Sequence, residues 1–318
     1  MFWPFGVARR GALRACTTVR PGVVRANPPA RLRGMSPVQR SRQVQGISVP
    51  SFFYGTAWKE ERTRQLTSLA LDAGFRAIDT ANQRRHYVEA AVGDAVKDLL
   101  ERGTVTRSQL FLQSKFTHRS GQDHRLPYEV HAPLQVQVAQ SLQSSLEHFG
   151  TSHLDSYLLH GPTARDGLTD EDWEIWQAME VLKQAGKVRL IGVSNMSHEQ
   201  LALLVEHAKV KPAFVQNRCF ARSGWDGRVR DLAAKHDIVY QGFSLLTANL
   251  RELQGPVIGK IADRHRRSPA QLVLRFALEV GMIPLTGTSD SQHMRQDLEV
   301  FDFELSTEER AAIEQVAE

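Results

Sequence analysis

The chain has 318 residues, 42% of them hydrophobic, enough for one sizeable core rather than a disordered or fibrous chain. Two cysteines exclude a disulfide-stapled scaffold, and no apolar run approaches the roughly 18 residues needed to cross a bilayer. The formal charge of +5 hints at a polyanion-binding protein, but one segment sets its sign.

That segment comes first. Residues 1–45 hold nine arginines and no acid, and the first acidic residue of the chain is Glu60. Without those nine, the 40 basic residues fall to 31 against 35 acidic, and the charge moves from +5 to −4. The basic balance therefore gives no reason to expect a nucleic-acid or membrane partner. Arginines scattered among Ala, Val, Pro and Gly, with few hydroxyls, read as a transit peptide over 1–45, for a mitochondrion ahead of a plastid. If the arm is not a signal, the chain is expected in the cytoplasm. Cys16 lies in this arm, so the rest keeps Cys219 alone, which suits a reduced compartment.

From residue 46 to 318 short apolar runs alternate with amphipathic stretches of helical length. FFYGTAW (52–58) reads as the first strand. Leu66, Leu69, Ala70 and Ala73 then follow helical spacing and meet Gly74, where a left-handed residue would end the helix. RAIDTA (76–81), LFLQSK (110–115) and SYLLH (156–160) are the next strands. Between the last two, Val138, Leu142, Ser145 and Phe149 form a helical stripe that again meets a glycine, Gly150. Thr169 with Asp172 three residues on reads as an N-cap for the helix carrying Ile175, Met179 and Leu182, and Gly186 stops it. VRLIGVS (188–194), AFVQNRC (213–219), IVYQGFS (238–244) and MIPLTGT (282–288) complete eight strands. Ser268-Pro269 with Gln271 reads as a helix start, preceded by a basic helix end at 264–267. Eight βα units point to a single (β/α)₈ barrel, whose usual size is about 250 residues.

Side chains at the carboxyl ends of neighbouring parallel strands converge on one face. Asp79, Lys115 and His160 sit at three successive strand ends, and Tyr87 lies shortly beyond the first. Each alone has a plain structural reading, as an ion pair, a satisfied core histidine or an aromatic at a helix start. As a set they suit carbonyl reduction. Hydride must reach the carbonyl carbon while a proton reaches its oxygen, and a tyrosine can give that proton if a lysine held by an aspartate lowers its pKa. His160 would donate to the substrate oxygen. A barrel hydrolase or isomerase that binds phosphate would also use strand ends.

GFRAIDTA (74–81), LFLQSKF (110–116), SYLLHGP (156–162), GKVRLIGVSN (186–195), FVQN (214–217) and VFDFELS (300–306) together resemble the aldo-keto reductase family, from about Val49 to the C-terminus. The resemblance implies a (β/α)₈ barrel that binds NADPH in extended form without a Rossmann glycine fingerprint, and this chain has no such fingerprint. It implies that Asp79, Lys115 and His160 belong to the catalytic tetrad. The tyrosine is displaced: the stretch from Asp79 to Val92-Gly93 is two residues longer than usual, so counting forward reaches Arg84 and counting back reaches His86. Tyr87, one position further, is the expected proton donor, with His86 as a substitute acid or substrate contact.

For the cofactor, the resemblance implies Gly55 and Thr56 at the first strand end, Ser194, Asn195 and Gln216 on the nicotinamide carboxamide, and Phe243 stacked on the ring. Ser244 and Leu246 fall at the pyrophosphate, Gly287, Thr288 and Ser289 at a 2′-phosphate, and Gln296 and Asp297 at the adenine. His293 stands where an arginine often clamps the phosphate, with Arg295 near. Loss of a fixed guanidinium should weaken discrimination, so NADH is possible beside NADPH. Trp58 is expected to touch substrate, bordered by a solvated segment (117–132) containing His118, His124 and His131, whose spacing suits no metal. The short tail implies an open pocket. The expected protein is a monomeric NADPH-dependent reductase of small-molecule carbonyls; the alternative is a cofactor-binding regulatory or redox-sensing barrel.

Overall fold

A computed structural model describes residues 38–317. Residues 1–37 of the expected transit peptide lie outside the described residues. The compact unit starts at Val38, eight residues before the expected boundary. Strand β1 (Ser41–Val44) pairs antiparallel with β2 (Ile47–Pro50), and the 45/46 boundary falls in the turn between them. Two of the nine arginines are therefore structural. Arg42 donates to the Gly281 carbonyl at 2.8 Å and Arg40 reaches Asp302. Composition could not separate them from the other seven.

Eight parallel strands follow: β3 (Phe53–Gly55), β4 (Ala77–Asp79), β5 (Phe111–Phe116), β6 (Leu154–Leu159), β7 (Val188–Ser194), β8 (Phe214–Arg218), β9 (Val239–Phe243) and β10 (Ile283–Thr286). They close in chain order, with β10 against β3, so every strand has two neighbours and no sheet edge is left open. The helices are α1 (Thr63–Ala73), α2 (Glu89–Glu101), α3 (Leu134–Phe149), α4 (Asp170–Gln184), α5 (His198–His207), α6 (Gly227–Lys235), α7 (Leu250–Leu253), α8 (Pro256–His265), α9 (Pro269–Glu279), α10 (Ser291–Leu298) and α11 (Thr307–Glu314). Among the described residues no helix is long and apolar enough to cross a membrane.

The ends of these helices follow the sequence signals. Gly74 and Gly150 are left-handed, with φ of 117° and 62°. Thr169 with Asp172 and Ser268 with Gln271 form complete capping boxes. Where α2 crosses α3, Gly93 lies so close to the His148 carbonyl that no Cβ fits.

The core has two parts. A larger cluster fills the space between barrel and helices and includes Leu66, Leu142, Ile175 and Phe276. A smaller one fills the lower barrel interior with Phe53, Ala77, Phe111, Leu158, Leu190, Phe214, Ile283 and Leu285, joined by Val44 and Val49 of the hairpin. The hairpin thus closes the amino-terminal end of the barrel, which leaves the carboxyl end as the open face.

Candidate active site

Successive side chains of a strand point to opposite faces, so residues two apart share a face. Phe111, Gln113 and Lys115 on β5, Ala77 and Asp79 on β4, and Phe214 and Gln216 on β8 follow this rule, with apolar members at the bottom and polar ones above. Gln113, Gln216 and Gln241 are buried and joined by their amides: Gln113 donates to Gln241 at 2.8 Å, Gln241 returns a bond at 3.1 Å, and Gln216 donates to Gln241 at 2.9 Å. Gln113 and Gln216 also donate to Asp79 Oδ1 at 2.7 and 3.0 Å. This polar layer is the floor of the site. Buried amides must be paired, and here each pairs with another or with the aspartate.

Lys115 Nζ lies 2.7 Å from both Asp79 carboxylate oxygens and 2.8 Å from the Thr80 carbonyl. Burial lowers its pKa, opposed by the Asp79 charge. The Tyr87 ring sits 5.5 Å from that ammonium and meets the His160 ring edge-on at 5.8 Å. The phenol was expected to be acidified by Lys115; instead its pKa is raised, first by burial and then by the Asp79 charge. The reason is geometric, since the ammonium is bonded to the aspartate on both oxygens and its charge is largely matched there. Tyr87 therefore keeps its proton through neutral pH. His160 is driven well below the usual imidazole range by burial, with Lys115 as the next cause. It is neutral, and its Nδ1 lies 2.6 Å from the Thr117 hydroxyl.

The displaced tyrosine has a local explanation. The Gln83 carbonyl accepts from the Tyr87 amide at 3.1 Å and from His86 at 3.4 Å, a tight turn that takes up the extra residues. Glu89 then fixes the start of α2. It is 1% exposed and accepts from Ser114 Oγ, from Ser145 Oγ at 2.9 Å, and pairs with His148 Nδ1 at 2.8 Å. Two residues earlier, Tyr87 faces inward, whereas His86 turns out and stacks on Trp58 with ring centroids 4.0 Å apart. Trp58 is 66% exposed and held at a left-handed φ of 60°, a strained conformation for a bulky residue. Asn195 and Ser244, at two further strand ends, are also left-handed.

A cavity of about 380 Å³ opens here, lined by Gly55, Trp58, Asp79, Tyr87, His160, Ser194, Asn195, Gln216, Phe243, Ser244, Leu246, Gly287 and Thr288. Ser194 Oγ donates to the Gln216 carbonyl at 2.7 Å, and Asn195 Nδ2 to the His160 carbonyl at 2.8 Å, so these side chains are fixed. Phe243 carries the Arg218 guanidinium over its ring at 5.7 Å. Thr56 is not in the lining; it is buried and donates to the Asp79 carbonyl. Lys115 lies behind Asp79, and Ser289 is exposed on the following loop. Gln296 and Asp297 lie on α10 outside the lining. Asp297 is turned inward, 4% exposed and accepting from Thr286 Oγ1 at 2.7 Å, because it follows the buried stripe of α10 with Met294.

Lys59 is a lining residue that the sequence reading passed over; its Nζ donates to the Gly287 carbonyl. Thr117 and the Gln113–Gln241 pair were also unread. The glutamines share strand parity with Lys115 and Phe243 and were legible by period; Thr117 sits in the segment read as solvated. Most of that segment is exposed or half-buried, His124 and His131 included, but Thr117, Gln122 and Tyr128 are buried.

Comparisons with known proteins agree with this fold. Residues 52–318 match the profile of the aldo/keto reductase family. Human aldo-keto reductase family 1 member C3 is 31% identical over 303 residues, covering 85% of this chain and 88% of its own. Bovine dihydrodiol dehydrogenase 3 is 30% identical over 307 residues, covering 87% and 90%. Among solved structures, an aldo/keto reductase from Brucella melitensis superposes with a TM-score of 0.74 at 28% identity, over 87% of this chain and 97% of its own. A Bombyx mori aldo-keto reductase in complex with NADP gives 0.73 at 28%, over 87% and 92%. With a barrel closed in chain order and a matching profile over all of it, the chain belongs to the aldo/keto reductase family.

Proposed function

We propose that the protein reduces aldehydes or ketones with NADPH. The carrying observation is Tyr87, displaced by one position in sequence yet sharing one cavity with His160 and Asp79, with Lys115 behind Asp79 and 5.5 Å from the Tyr87 ring. The relative from Bombyx mori that was solved with NADP supports the cofactor. The residues here suit it: Ser194, Asn195 and Gln216 offer hydroxyl and amide groups to a carboxamide, Phe243 offers an aromatic face, and Lys59 offers a cation for phosphate. Bound in this cavity, NADPH supplies the hydride.

The side chains supply the rest. His160 donates to the substrate oxygen and Tyr87 gives it a proton as negative charge develops there. Asp79 holds Lys115 beside the ring of Tyr87, where the phenolate forms. Exposed Trp58, backed by the half-buried His86 ring, forms an aromatic rim at the cavity over which a carbonyl compound enters. The acid-free, arginine-rich arm supports import into mitochondria. A fluorescent fusion of that arm should accumulate there; diffuse cytosolic signal would remove the idea.

The test follows NADPH oxidation by the full chain with an activated aromatic aldehyde, beside Tyr87→Phe. Turnover in the variant is expected to fall by at least about 10²-fold, with NADPH binding intact by fluorescence titration. Equal turnover would take Tyr87 out of its role. No turnover in either, with NADPH bound, would favour a cofactor-sensing barrel.

A further inference from the structure

His160 is useful as a donor to the substrate only in one of its two neutral forms, and Thr117 is the residue in contact with its Nδ1. A neutral imidazole has one nitrogen that donates and one that accepts. Which is which follows from the partner of the nitrogen that faces away from the substrate.

Thr117 follows β5 by one residue and is 3% exposed. Its carbonyl accepts from the Tyr128 hydroxyl at 2.9 Å and from Gln122 Nε2 at 3.3 Å. Its methyl group rests against Gly121, so closely that a Cβ on that glycine would meet Thr117 Cγ2 at 2.6 Å. With the methyl fixed there, the hydroxyl takes the staggered position that faces His160 Nδ1 at 2.6 Å. The histidine is anchored from the same strand end, its amide donating to the Phe116 carbonyl at 2.9 Å.

A buried hydroxyl needs an acceptor for its proton, and among the described residues the partner of this one is Nδ1. If Nδ1 accepts, Nε2 carries the hydrogen, on the ring that meets Tyr87 edge-on in the cavity. We propose that Thr117 is a positioning residue: its hydroxyl donates to His160 Nδ1, holds the neutral imidazole as the Nε2–H tautomer, and so keeps a donor aimed at the substrate oxygen. The inference rests on the reductase reading for its consequence, though not for the tautomer itself. The Tyr87 ring packs against His160, the charges that act on it come from Lys115, His86 and His118, and among the described residues Thr117 is the side chain that meets Nδ1.

The tautomer can be read directly. Two-bond ¹H–¹⁵N correlation spectra of the full chain, labelled at histidine and loaded with NADPH, distinguish Nε2–H from Nδ1–H, and His160→Gln identifies the signals. The wild type should show Nε2–H. Thr117→Val should lose that pattern and lower kcat by about 10- to 100-fold, with the aldehyde KM and the NADPH dissociation constant nearly unchanged. Thr117→Ser, which keeps the hydroxyl, should retain both the pattern and most of kcat. An Nδ1–H wild type would overturn the proposal, as would Thr117→Val with unchanged spectrum and kcat. If Thr117→Val does not fold, Thr117→Ala, which also removes the hydroxyl, takes its place. If the wild type shows Nε2–H but turns over no carbonyl, the reductase reading fails and the tautomer assignment stands.

Discussion

Asp297 is a carboxyl group 4% exposed whose pKa is raised from 3.8 to about 6, mainly by burial, with the Thr286 hydroxyl acting the other way. A raised folded pKa means that the folded state holds the proton more tightly than the unfolded chain. The favourable contribution is complete below pH 3.8 and is lost as pH rises through about 6. At neutral pH the buried charge therefore works against stability. Asp297→Asn, which can still accept from Thr286, is expected to raise unfolding free energy by about 1–3 kcal/mol at neutral pH. Urea titrations at about pH 7.5 and about pH 4 check this: the gain should vanish at the lower pH, and a gain equal at both would refute the burial argument. At the same scale, Asp79, Lys115 and His160 were legible because each closes an apolar run. The choice between His86 and Tyr87 was not, because a one-residue shift in a turn decides which side chain faces inward, and the Gln83 turn sets that shift.

At the scale of elements, α10 presents its first turn near the cavity end formed by Gly287 and Thr288. Asp290 caps this helix, its carboxylate accepting from the Gln292 and His293 amides at 2.8 and 2.9 Å. Those amides hold its pKa below the usual carboxylate value. Helix amino termini favour anions, and here a side chain already occupies the position. A 2′-phosphate held by Gly287, Thr288 and Ser289 would meet that negative charge. Asp290→Asn keeps a good cap and removes the charge. The variant is expected to raise the ratio of NADPH to NADH efficiency several-fold, read from kcat/KM with each cofactor; an unchanged ratio would place the phosphate elsewhere. Caps and stops such as Thr169 with Asp172, Ser268 with Gln271 and Gly74 were readable because they depend on residues three or four apart. The hairpin β1–β2 was not, because its four-residue strands are too short to show a period and sit in arginine-rich sequence.

For the whole molecule, that hairpin decides which end of the barrel is closed. Val44 and Val49 join the interior cluster, and Arg42 ties the hairpin to Gly281 before β10. A chain starting at Gly46 loses β1 and leaves part of the lower interior open to water. Its Tm is expected to be lower by about 5–10 °C than that of a chain starting at Val38. Differential scanning calorimetry of both checks it, and coincident transitions would show that β1 adds nothing.

The sequence by itself determined eight strands, their order, the helices between them and the strand end on which each polar residue rides. Those features arise from alternation by two, spacing by three or four, and caps, all of which act between near neighbours. Only the tertiary structure decided that Tyr87 rather than His86 turns inward, that Thr117 meets His160, that three glutamines form the floor under Asp79, and that Asp297 is buried. Each of these depends on side chains from different strands or on one turn's geometry. Closure of the barrel brings such groups within hydrogen-bonding distance, and no local pattern records which ones will meet.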